Sequence, residues 1–543
     1  MKNRFPLSLV LVALVLAVLS IAPFWWAQVQ TPEGWTFTGI LNGSPDGMQY
    51  RVLADRSLTT GPIVDNRLTT EANSPHIPML LYFGFEKLAD WLHAPPPFVI
   101  AYGGALLALL LAFLVFGIVD HFLESRRYTW PVFLVLMFGG GLGAHLLLVS
   151  RLSPLAENYV IKRTVVEGLE NAIVFDQYRN HYLFTTLGDA HFLFFLLMAL
   201  LAVGTFYFAL RKLSYLSVVI AALCFGGVTV LHIYDGITLL AIGAGVSFLL
   251  WRKKFPMVPP LMTMLACSVA VGAAALWQVW LYRSSGVQLP PWRADSIYVS
   301  ELALAYPIAW LLILVGLGDY WRTARFNETF LLGWSLGCVA LTLSGPFYPY
   351  PDRGALTLQI PIYIIAGAIY FSRYTRVRRV HVVLAILVLS ATPAYKLRNQ
   401  WINTTISAHP TGGPPPYTWM SPEHRAMVDV LAEMATEDDV LLVDKTEVPW
   451  RTDDLWLTLG FPGKLYAGHY ALTVDYDRKR AAVSQFYRDP VAEDAVGFLQ
   501  SSGVRFVFVD AAGDPSRFNV IPGLVPLQRS SFGTLFAYSP LPN

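Results

Sequence analysis

The sequence predicts an α-helical polytopic membrane protein with a small outward α/β domain at its C-terminal end. Three observations carry this. Over 543 residues, 55% are hydrophobic and only 14% charged, and the mean hydropathy is +0.48. Soluble domains need nearer 25% charge to cover a surface facing water. About eleven apolar stretches approach the roughly 20 residues that a bilayer-crossing helix requires. Beyond residue 416 the pattern changes to alternating helix and strand.

The stretches run Leu7–Ala27, Phe98–Val119, Pro131–Ser150, His191–Leu210, Tyr215–Leu231, Gly236–Trp251, Val258–Leu281, Ser300–Asp319, Thr329–Ser344, Gly354–Phe371 and Val380–Tyr395. The first follows Lys2 and Arg4 but ends in bulky Pro23-Phe24-Trp25-Trp26, which suits an uncleaved anchor better than a signal peptide. The fifth and sixth are separated only by His232-Ile233-Tyr234-Asp235. Aromatic residues reach 14%, as membrane interfaces favour. The three cysteines, Cys224, Cys267 and Cys338, stand far apart in apolar runs, which excludes a disulfide framework or zinc knuckle.

Orientation follows from the short basic loops. With the N-terminus cytoplasmic, alternate loops carry Arg126-Arg127, Arg211-Lys212, Arg252-Lys253-Lys254, Arg322 with Arg325, and Arg373, Arg376, Arg378 and Arg379. The opposite set is long and charge-balanced or nearly free of Lys. Residues 1–399 then form the membrane domain, with outer loops 28–97 and 151–190, and residues 400–543 an extracytoplasmic α/β domain. Thr411 to Pro416 reads as a linker. In the tail, Pro422–Thr436, Asp477–Tyr487 and Pro490–Ser501 read as helices, Val440–Val443 and Val504–Val509 as strands, and Leu535–Tyr538 as an edge strand.

The unusual polar residues gather on the outer face: Asp46, Asp176, His181, Asp189, His191, His232, Tyr234, Asp235, Glu301, and Asp352 with Arg353. Ionisable groups at membrane depth are costly, so they line cavities or pair. The plain alternative is that most are loop residues solvating the interface, and some have a specific structural use. Asp189 and Asp235 suit helix N-caps, Glu301 suits the positive end of a helix dipole, and Arg353 can pair with Asp352. No phosphate-cradling glycine loop ending in Lys-Ser/Thr, no His-Glu-x-x-His helix and no Gly-x-Ser-x-Gly elbow occurs. A nucleotide cofactor is therefore not expected, nor is nucleic acid a partner, because no basic face alternates with aromatics.

After the first stretch comes Asn42-Gly43-Ser44-Pro45-Asp46-Gly47-Met48-Gln49-Tyr50. This resembles the integral-membrane glycosyltransferases of the GT-C fold, relatives of the protein mannosyltransferases and the lipid A aminoarabinose transferase. Their first outer loop carries an acid soon after the first helix, often as Asp-x-x-x-Tyr, matched here by Asp46 and Tyr50. Several members have a second acid next, where this chain has Gly47. Asn73-Ser74-Pro75-His76-Ile77-Pro78, leading into an amphipathic segment, is similar to their re-entrant segment. Asp352-Arg353, followed by Pro361, resembles the Arg-then-Pro pattern that opens a late helix. The segment Gly463 to Tyr470 with Tyr476 to Lys479 and Gln485 to Tyr487 is similar to the extracytoplasmic tails of bacterial members.

The resemblance implies a hexosyltransferase of the cell envelope. It would move a sugar from a polyprenyl-phosphate donor to a lipid, glycan or protein acceptor on the outer face of the plasma membrane, with inversion. Such transfer needs a base near the anomeric carbon and positive charge at the departing phosphate. Asp46 suits the base. Arg353 suits the phosphate, since its guanidinium is always charged and matches phosphate as a fork. His232 and Asp235, with Asp46, can hold a divalent ion such as Mg or Mn; alternatively Asp235 caps its helix and His232 is simply buried. Tyr50, His76, Asp189, His191, Tyr234 and Glu301 are further substrate or metal candidates. Two rival readings are a lipid or glycan transporter and a non-catalytic glycolipid-binding scaffold. Transporters place polar groups at mid-membrane rather than at one face.

Overall fold

The computed structural model describes residues 6–39, 41, 45–142, 145, 190–212, 214–285, 299–345, 352–373, 379–392, 394–395, 418–444, 455–468, 472–490 and 492–539. Among them, five helices are long and apolar enough to cross a membrane: Leu7–Val29, Pro96–Leu123, Ala190–Lys212, Ile233–Arg252 and Val258–Ser284. Shorter apolar helices accompany them, including Tyr215–Leu231. The chain is a multi-pass membrane protein. It divides into two compact units, one of residues 1–22, 100–277 and 292–399, the other of residues 23–99, 278–291 and 400–543.

The first unit is a helical bundle around one apolar core that includes Phe133, Phe206, Phe225, Phe330, Trp334 and Ile364. Its tightest seam joins Ile233–Arg252 to Phe326–Thr342. A Cβ on Gly245 would stand 2.4 Å from Gly333 O, and one on Gly337 would stand 2.3 Å from Ala241 O. Gly333 and Gly337 form the small-xxx-small pattern that lets membrane helices approach backbone to backbone. Several expected spans are interrupted. The third ends at Gly139, where Gln359 Nε2 donates to Leu136 O at 2.9 Å. The eighth breaks before Pro307, giving helices Val299–Ala305 and Pro307–Thr323. The tenth opens with a short helix, Asp352–Ala355, before Gln359–Arg373.

The second unit holds a five-stranded sheet in the order Lys464–Leu465, Val440–Val443, Val504–Asp510, Gly533–Tyr538, Leu524–Ser530. The first three strands are parallel and the last two join antiparallel. Leu441 and Val443 face Met427 and Leu431 of helix Pro422–Met434, while Val440 and Leu442 belong with Val483, Phe486 and Leu499 of helices Tyr476–Arg488 and Ala492–Ser502. That is the two-residue alternation of a sheet covered on both faces. Gly533–Tyr538 is interior, not the edge strand expected; Leu524–Ser530 lies outside it, and Pro526 and exposed Arg529 suit an edge.

This sheet does not stand apart from the segment that follows the first helix. Thr36–Phe37 pairs antiparallel with Trp419–Met420, and Trp419 Nε1 donates to Ala27 O at 2.9 Å. Arg56 bridges Asp65 at 2.8 Å and Glu437 at 2.9 Å. The hairpin-like pair Ile63–Val64 with Ile77–Pro78 leads into amphipathic helix Leu80–Leu92, where the re-entrant segment was expected.

Candidate functional site

In the first unit, four of the expected side chains meet at the same end of the helices. The chain breaks at His232, whose extended backbone (φ −156°) ends Tyr215–Leu231 and caps Ile233–Arg252. The break is tight: a Cβ on Gly236 would stand 2.1 Å from Thr229 Oγ1, so only glycine fits. Asp235 lies in the first turn and is 1% exposed. Its Oδ2 stands 3.3 Å from His232 Nδ1, and among the described residues neither carboxylate oxygen accepts a well-aligned hydrogen bond. His191, in the first turn of Ala190–Lys212, brings its ring to 6.3 Å from that of His232.

Arg353 completes the group. Its guanidinium lies over the Phe192 ring at 5.1 Å and bears electrostatically on both Asp235 and His191. Gly354 seats this short helix: a Cβ there would meet Thr342 Oγ1 at 2.6 Å and Cys338 O at 2.8 Å. Thr357, just beyond, accepts from Trp334 Nε1 at 3.0 Å. Helices Ala190–Lys212 and Ile233–Arg252 both begin at this end and finish in basic residues, Arg211 with Lys212 and Arg252. Helix N-termini and a guanidinium together favour an anion. Tyr234 stands beside His232, ring centroids 5.4 Å apart. Phe192 and Phe195, which pack against Arg353, His191 and His232, carried no signal in the sequence.

Other expected residues belong to the second unit. Tyr50 stacks on Tyr82 at 5.3 Å. His76 is 1% exposed; its Nδ1 lies 2.7 Å from Ser74 O, its ring meets Tyr282 edge-on at 5.1 Å, and its Nε2 has no hydrogen-bond partner among the described residues. Burial pushes the His76 imidazole below its usual pKa, so it is neutral. Nδ1 then carries the proton donated to Ser74 and Nε2 offers a free lone pair. Asp46 lies in the first turn of helix Pro45–Thr60 and Glu301 in helix Val299–Ala305, but both side chains, and that of Asp352, lie outside the described residues. Asp176, His181 and Asp189 lie wholly outside them.

The donor chemistry for a metal is partly visible: a carboxylate without an aligned hydrogen bond, beside imidazole. Among the described residues, however, no three His, Cys, Asp or Glu side chains converge to hold an ion. The third expected ligand, Asp46, falls among the undescribed side chains.

No protein-family model matches the sequence, and no curated protein matches it. Solved structures do. An archaeal oligosaccharyltransferase, AglB from Archaeoglobus fulgidus, solved with an inhibitory peptide and a dolichol-phosphate, aligns with 98% of this chain and 74% of its own, at 12% identity and a TM-score of 0.52. A variant of the arabinofuranosyltransferase AftD from mycobacteria aligns with 96% of this chain and 41% of its own, at 14% identity and a TM-score of 0.54. Both are GT-C membrane glycosyltransferases.

Proposed function

From the GT-C fold that the chain shares with these enzymes, we propose that it is a polyprenyl-phosphate-sugar-dependent hexosyltransferase of the plasma membrane. Its active face is extracytoplasmic, its N-terminus cytoplasmic, and residues 400–543 supply an extracytoplasmic α/β part. About eleven spans carry it. The observation that supports this most is the meeting of Arg353, Asp235, His232 and His191 where two helix N-termini begin.

A sugar phosphate bound there places its anion against Arg353 and the helix ends. Asp235 balances the charge of the Arg353 guanidinium. The acceptor hydroxyl attacks the anomeric carbon from the opposite side, Asp46 takes its proton, and the bond to the phosphate oxygen breaks with its electron pair. Configuration inverts, and Arg353 stabilises the charge that develops on the departing phosphate. Asp46, His232 and Asp235, the ligands the sequence suggests, would hold a divalent ion such as Mg or Mn, which would add positive charge for that phosphate. In the second unit, His76 Nε2 accepts a hydrogen bond from a sugar hydroxyl. The dolichol-phosphate and peptide of the AglB complex support a lipid-borne donor, with a lipid, glycan or protein as acceptor.

The test is transfer of a labelled sugar from polyprenyl phosphate by purified wild type and by Asp46→Asn. The substitution removes the base while nearly keeping shape, so transfer should vanish with insertion unchanged. Normal turnover in Asp46→Asn would remove Asp46 from the chemistry.

A further inference from the structure

Lys479 is a lysine that solvent scarcely reaches, at 3% exposure. Its ammonium donates to Thr70 Oγ1 at 2.7 Å, Glu71 Oε2 at 2.8 Å and Thr69 Oγ1 at 3.3 Å. Those three bonds use every hydrogen the group has. The charge also rests over the Tyr466 ring at 5.2 Å. Thr69 Oγ1 in turn donates to Glu71 and accepts from Val474 N.

The clamp continues on both sides. Leu465 N donates to Arg67 O at 2.8 Å, Gly468 N to Leu68 O at 3.2 Å, and Thr473 Oγ1 to Leu68 O at 2.6 Å. Gly468 is needed for this close passage, since a Cβ there would stand 2.9 Å from Leu68 Cβ. Asn66 Nδ2 donates to Leu472 O at 2.6 Å, and Asn66 and Asn73 then tie the loop to itself. His76 follows, its N–H donating to Val64 O at 2.9 Å. Residues 66–76 are thus held as one piece, with the Lys479 ammonium bound to Thr69, Thr70 and Glu71 at its centre.

Burying an ammonium is expensive, and an apolar side chain of that volume stabilises a protein as well or better. Adhesion alone does not call for a lysine here. We propose that Lys479 is a positioning residue: anchored on Thr69, Thr70 and Glu71, it fixes the loop that presents His76 to the sugar. The claim rests on the glycosyltransferase reading and adds to it a role for the segment Gly463 to Lys479.

The experiment uses the full chain in detergent with a labelled polyprenyl-phosphate sugar. Lys479→Met should raise the donor KM about tenfold with kcat changed far less, because a loosened loop loses ground-state binding. Trypsin should then cut after Arg67, a site protected in wild type. Glu71→Gln, which keeps the lysine, should shift KM in the same direction and serves if Lys479→Met fails to fold. Adding Glu71→Gln to Lys479→Met removes the half-buried carboxylate left without its lysine and should recover part of the KM. Arg478→Ala, an exposed neighbour, should change neither readout. An active wild type with an unchanged KM in Lys479→Met and Glu71→Gln, or a raised KM with Arg67 still protected, overturns the positioning role alone. A wild type that transfers no sugar overturns the glycosyltransferase reading and this inference with it.

Discussion

His232 and Asp235 face each other at 3.3 Å across one helical turn, at a break between two membrane helices, and the carboxylate is almost fully buried. The positive charge of Arg353 bears on Asp235 and makes this burial tolerable. Removing the negative charge takes away a carboxylate that this half-buried guanidinium bears on. Asp235→Asn should therefore lower the thermal stability of the detergent-solubilised protein by an amount equivalent to roughly 3 kcal/mol, and lower transfer as well. Arg353→Met combined with Asp235→Asn should recover stability but not activity. Recovery of both would separate the cluster from the chemistry.

The glycine seam sets where Asp235 and Arg353 sit, so filling it should be felt at once. Gly337→Ala drives a Cβ against the Ala241 carbonyl, where the neighbouring atom is backbone and cannot step aside. Overpacking of this kind costs about 1–3 kcal/mol. Gly227→Ala meets nothing within 4 Å and should be neutral. Thermal unfolding of the two variants side by side checks this; equal stability would mean that the two helices do not touch there.

Acid should weaken the second unit through His424. Its ring stacks on Phe532 at 4.0 Å, its Nδ1 lies 2.7 Å from Ser421 Oγ, and burial pushes its pKa down to about 4 from 6.5. The folded value is the lower one, so between those limits the unfolded chain binds the proton and the folded chain does not. Stability is full above pH 6.5 and falls as pH drops toward 4, by about 3 kcal/mol in all. Unfolding temperatures at pH 7 and pH 5 should differ more in wild type than in His424→Phe. An equal difference would assign the acid sensitivity elsewhere.

Topology has its own check. An export-dependent reporter fused after Asn543 should be active and a cytosolic one silent. The reverse would put Arg353 and its neighbours on the cytosolic side.

That helices fall within the apolar stretches was legible because hydrophobicity is a local property. The break at His232-Ile233-Tyr234-Asp235 could be read from four consecutive residues, and the structure ends one helix and starts the next there. Strand Val440–Val443 and helix Pro422–Met434 were read almost to the residue. Leu524–Ser530 was missed because Pro526 and its exposed residues disguise a strand. Pairings between distant segments left no trace at all. Nothing near Lys479 announces Glu71, and two-residue strands such as Thr36–Phe37 have no periodicity to detect. The candidate site shows the same division: Arg353, Asp235, His232 and His191 stood out as polar residues in apolar surroundings. The phenylalanines that hold them looked like any others.

In the proposed reaction Arg353 receives the donor phosphate, and steady-state transfer at varied polyprenyl-phosphate-sugar tests this most directly. A fork needs two fixed donors, which lysine lacks. Arg353→Ala should lower donor kcat/KM about a hundredfold or more, and Arg353→Lys by less, with acceptor dependence little changed in both. If Arg353→Ala keeps the wild-type donor dependence while remaining folded, Arg353 is a structural partner of Asp235 and the phosphate binds elsewhere.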